Sequence, residues 1–76
     1  MSASVEARVE AAVRAKHEQG TVAFWVSLKL SETGSVQACA DAFGLPAHVL
    51  RAWIEDNGYA VRRIRMAWLV KDGQRV

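Results

Sequence analysis

Arg51, His48 and the trio Arg62, Arg63 and Arg65 carry the donors in this chain that best suit a polyanion. A guanidinium can fork onto O6 and N7 of guanine or clamp a phosphate. The plainer role for Arg51 is an i, i+4 ion pair with Glu55 on a solvated helix face. His48 stands one helical turn earlier on that face, as a donor or acceptor at a base edge or simply as a surface histidine. The arginine trio has no acid among it and can follow a phosphate strand; its bland counterpart is a solvated charged edge. Gln37, at the start of a helix, can add a phosphate hydrogen bond beside the backbone amides there. Glu55 and Asp41 work against phosphate contact and narrow the expected footprint.

These side chains need a rigid platform, and residues 35–57 supply its pattern. Val36, Cys39, Ala40 and Phe43 recur at i, i+3, i+4, i+7 behind Ser35 as N-cap. Gly44 just past the last apolar position can take the left-handed conformation that stops a helix, and Pro46 pre-sets a helical φ for the next one. In that second helix Val49, Leu50, Trp53 and Ile54 form the inward face. At about 100° per residue, His48, Arg51, Ala52 and Glu55 fall opposite.

Two helices joined by a short turn containing glycine form a helix-turn-helix unit, and the residues resemble that family of DNA-binding proteins. Small Ala40 sits four before Gly44, where the helices cross closely, and Leu45, Leu50 and Trp53 occupy core positions. Leu50-Arg51-Ala52-Trp53 resembles the L-R-x-W/Y run of MerR-type regulators and small phage excisionases. The stretch SETGSVQACADAFGLPAHVLRAW is similar to the helix-turn-helix of phage terminase small subunits, with an E-T-G-S-V-like linker ahead of the first helix. The resemblance covers roughly residues 22–58. It implies that the helix from Pro46 to Asn57 enters the major groove of double-stranded DNA while an arginine-rich wing grips the backbone.

Before this motif, residues 4–19 predict a helix with a narrow stripe of Val5, Val9, Ala12 and Val13, its acids toward the start, its bases toward the end, and Gly20 as its stop. It is either a support packed on the core or a dimerisation arm. Residues 21–32 are ambiguous. Val22, Phe24, Val26, Leu28 and Leu30 alternate with the period of a strand, yet a helix-turn-helix needs a preceding helix to close its core, which favours helix. After Gly58, Tyr59 and Val61, then Ile64, Met66, Trp68 and Val70, alternate, and Asp72-Gly73 carries a hairpin-turn dipeptide. Residues 59–76 therefore predict a β-hairpin wing, with Arg62, Arg63 and Arg65 before or in its first strand and Arg75 on a very short return. The competing prediction is a helix from Val61 to Val70.

The 76 residues make one domain, 1–76, with 51% hydrophobic residues and three tryptophans for its core. A domain near this size buries only about 60% of its unfolded surface. Trp25, Trp53 and Trp68 are read first as core, with an exposed interface anchor as the other role for Trp68. The fold class expected is mainly α, a three- to four-helix helix-turn-helix core with a small C-terminal β-hairpin wing. The net charge of +2 is mild, but from Pro46 onward six basic residues face three acidic ones.

One cysteine, Cys39, makes no internal disulfide and reads as an inert core residue; no leader and no apolar run of about 18 residues stands out. A cytoplasmic protein is expected. His17 and His48 with a single cysteine give no zinc spacing, and no nucleophile–base arrangement or glycine-rich phosphate loop appears, so no metal, cofactor or enzymatic activity is expected. The expected partner is double-stranded DNA, bound by a homodimer or cooperative oligomer in a small transcriptional regulator or excisionase of phage or mobile-element type. A protein-interaction module, such as a phage protein docking on a host protein or a terminase-like assembly subunit, is the alternative.

Overall fold

The computed structural model describes residues 4–63, 67–72 and 74–75. The chain folds as four helices followed by a small antiparallel sheet: α1 Val5–Arg14, α2 Val22–Thr33, α3 Val36–Phe43, α4 Ala47–Asp56, then β1 Ala60–Arg63, β2 Ala67–Lys71 and β3 Gln74–Arg75. A mainly helical core with a small C-terminal hairpin is thus the architecture.

Short polar side chains start three of the helices. Ser4, Thr21 and Ser35 each have extended backbone and accept, through their hydroxyls at 3.1 Å, from the amides of Ala7, Phe24 and Ala38. Segment 21–32, whose alternation suits a strand, is therefore helical. Its caps, Thr21 ahead and Gly34 behind at φ 82°, override the alternation.

α1 is shorter than the expected 4–19. It ends at Arg14 because the Arg14 guanidinium turns back and donates to the carbonyls of His17 and Glu18 at 3.3 Å and of Gly20 at 2.7 Å. The loop so closed lays the His17 ring flat on Trp25, centroids 3.8 Å apart, while Trp25 Nε1 donates to the Gln19 carbonyl. A Cβ at Gly20, which sits at φ 85°, would stand 2.8 Å from Trp25 Nε1. α1 packs on α4 and α2 as a support, with Val9 and Val13 fully buried.

The core gathers Val9, Val13, Val26, Leu30, Cys39, Ala40, Phe43, Val49, Leu50, Trp53, Ile54 and Leu69. Cys39 is fully enclosed, and burial pushes its thiol up to about 12 against a smaller lowering by Lys29. That keeps it a protonated, unreactive core side chain.

The sheet differs in detail from the predicted hairpin. The alternation over 59–70 suggested one long strand with its reversal at Asp72-Gly73, but the chain first reverses between β1 and β2. Ala60 pairs with Val70, Val61 with Leu69, Arg62 with Trp68 and Arg63 with Ala67. No glycine, proline, asparagine or aspartate lies between Arg63 and Ala67, so no residue type announced the reversal. Ile64, Arg65 and Met66 lie outside the described residues, as do Gly73 and Val76. A second turn follows at Asp72, whose φ of 54° is the left-handed value an Asp-Gly turn requires. It leads to β3, where Val70 and Lys71 pair with Arg75 and Gln74. The competing helix over 61–70 is excluded by these strands. β2 packs on α2, where the Leu69 amide donates to the buried Ser27 hydroxyl at 3.4 Å.

Candidate nucleic-acid interface

α3, the turn and α4 are held by two glycine-terminated helix ends of the same kind. At the first, Gly44 (φ 71°) lets the Leu45 amide reach back to the Ala40 carbonyl at 2.9 Å. This is the six-to-one bond of a Schellman motif, in which the residue after the glycine packs back on the helix. Leu45 is accordingly buried and Ala40 is wholly enclosed. At the second, Gly58 (φ 73°) lets the Tyr59 amide reach the Ile54 carbonyl at 3.0 Å. Tyr59 then stacks on Trp53, centroids 5.4 Å apart, and Lys71 Nζ sits 5.4 Å from the Tyr59 ring centre. The angle at which α4 leaves the core and the point where the sheet begins are therefore both fixed by packing.

α4 turns Val49, Leu50, Trp53 and Ile54 inward, as its spacing demands, and leaves His48, Arg51, Glu55 and Asp56 exposed, with Ala47 and Ala52 half-buried beside them. Its outward face is thus open to solvent along its length. Among the described residues the one ion pair is Lys29–Glu32, at 3.1 Å. Arg51 is not engaged by Glu55, so the i, i+4 pair that would occupy its guanidinium is not formed.

The sequence-predicted residues fall in three places. His48 and Arg51 share the exposed face of α4. Gln37 is exposed near the start of α3, where its Nε2 donates to Asp41 Oδ1 at 3.2 Å, so a phosphate must displace a contact within the helix. Arg62 and Arg63 lie on β1, opposite Trp68 and Ala67, and Arg65 lies outside the described residues.

Comparison with family models, curated proteins and solved structures returns no match.

One feature of the site escaped the sequence reading. Pro46 takes the N-cap position of α4 rather than the first helical one, with ψ 140° and no side-chain acceptor to offer the first amides. α1, α2 and α3 each have a hydroxyl cap there. The signal was present in the residue type, since proline has no hydrogen-bonding side chain. An uncapped, solvent-facing helix start suits an incoming anion. Asn57 was missed as well: its Nδ2 donates to Glu6 at 3.0 Å and to the Trp53 carbonyl at 2.9 Å, tying the end of α4 to α1. No group of three or more His, Cys, Asp or Glu side chains among the described residues could hold a metal ion. No helix there is long and apolar enough to cross a membrane.

Proposed function

We propose that this chain binds double-stranded DNA sequence-selectively, as a small winged helix-turn-helix regulator of transcription of the phage or mobile-element type. α4 enters the major groove and the hairpin, with Arg62, Arg63 and Arg65, follows the backbone. The observation that supports this best is the free outward face of α4, where Arg51 and His48 stand one turn apart with no carboxylate holding Arg51. The uncapped start of α4 adds a place for a phosphate. A module of this size covers one half-site, so it works as a homodimer or a cooperative array, about one helical turn between half-sites. Its setting is the cytoplasm.

A second role, docking on a protein, has its own support in Phe24 and Leu28. They lie one turn apart on α2 and are 48% and 41% exposed.

A salt series separates the two roles. Three phosphate-bound arginines give a log–log slope of about −2.7 per protomer, so affinity for duplex DNA falls about 40-fold between roughly 50 and 200 mM salt. A protein that flows past duplex DNA at low salt contradicts the DNA role.

A further inference from the structure

Glu55 is an anomaly for a helix that enters a groove between phosphates. It projects from the same exposed face as Arg51, four residues on, and its carboxylate has no partner among the described residues. Glu6 accepts from Asn57, Asp41 from Gln37 and Glu32 from Lys29; Asp56 is exposed and unpartnered like Glu55, but it projects about 100° further round the helix, off the face that carries Arg51. An Arg-then-Glu order at i, i+4 is the weaker orientation of a helical pair, worth only a few tenths of a kcal/mol. Neither residue therefore satisfies the other strongly enough to keep both from an outside ligand.

Inside the major groove a carboxylate can accept from only two groups, the exocyclic amino groups of cytosine and adenine; against guanine, thymine or a phosphate it meets only acceptors. From this we infer that Glu55 is a specificity-determining residue that reads the N4 amino group of a cytosine. The inference rests on the proposed DNA-binding role and assigns part of its target. Four residues of helix advance about 6 Å, close to two steps of about 3.4 Å along a strand. The target half-site therefore contains a guanine met by Arg51 and, about two steps away, a cytosine met by Glu55. Sequences lacking that cytosine leave a desolvated carboxylate unpaired among phosphates, so Glu55 acts chiefly by rejecting wrong sites.

The test is selection from a duplex DNA pool with a randomised block of about ten base pairs. It is run with the full chain, Glu55→Gln and Glu55→Ala, while binding to an unselected duplex is measured alongside. Both variants fold, because Glu55 is exposed and its side chain makes no hydrogen bond or ion pair among the described residues, and thermal melts verify this. The expected result is a cytosine at one position of the enriched site, preferred about tenfold. In Glu55→Gln that one position moves to adenine, which a glutamine amide meets at N6 and N7; in Glu55→Ala it loses preference, and the other positions hold. If Glu55→Gln tightens binding evenly to every sequence and moves no position, the inference is overturned and DNA binding stands. If no duplex is retained by any of the three proteins, the DNA-binding role fails and the inference with it.

Discussion

Replacing Trp53 with alanine removes a large part of the domain's stability. Trp53 is 3% exposed, faces the core from α4 and carries Tyr59 stacked on its ring, so its removal leaves a cavity beneath both α4 and the start of the sheet. Truncating a buried tryptophan costs about 3–5 kcal/mol. A chain of this length has about 4–11 kcal/mol to lose, and often less in a domain this small. Circular dichroism followed in urea should show Trp53→Ala without a native baseline or with a midpoint far below the parent. Phe24→Ala, on the exposed face of α2, should stay within about 0.5 kcal/mol. A loss below about 1 kcal/mol for Trp53→Ala would mean that α4 is not anchored through this side chain.

Arg51→Ala removes the sequence discrimination at the base pair that Arg51 meets while leaving the fold alone. Arg51 is exposed, has no ion pair among the described residues and sits in a helix, where alanine is at least as good a former as arginine. One bidentate arginine–guanine contact is worth about 1–3 kcal/mol of discrimination, or roughly 5- to 150-fold. The preferred and the scrambled duplex should converge in affinity by that factor in the variant. Arg63→Ala should act differently, lowering affinity evenly over all sequences and flattening the salt slope by about 0.9. If Arg51→Ala instead weakens every duplex alike, Arg51 clamps a phosphate and reads no base.

The parts of this fold that were legible in the sequence are those where several local signals agree. Over 35–57 the cap Ser35, the apolar spacing and Gly44 point to one structure, and the structure has all three. Segment 21–32 shows the opposite case. Val26 and Leu30 lie in the core while Phe24 and Leu28 face solvent: an alternating apolar run, wound into a helix, divides between two faces because alternate pairs sit four residues apart. Two exposed apolar side chains are what makes a helix look like a strand here. The early end of α1 was hidden because the Arg14 clamp depends on a loop conformation that no periodicity encodes. The reversal between β1 and β2 was hidden because residues 64–66 contain no turn former, whereas Asp72-Gly73 announced the second turn correctly. For the candidate site, the 100° rule sufficed to put His48 and Arg51 outward. That Arg51 and Glu55, four residues apart on one face, do not pair with each other depends on side-chain geometry, whereas the missing cap of α4 was already signalled by proline at position 46.

The role assigned to α4 is tested most directly by mapping backbone amide shifts of the isotope-labelled chain as duplex DNA is added at low salt. The account predicts that the amides from Ala47 to Arg51, with those at the start of α3 near Gln37, move or broaden first, while those around Phe24 and Leu28 on α2 hold still. Perturbation confined to α2, with α4 unmoved, would contradict it.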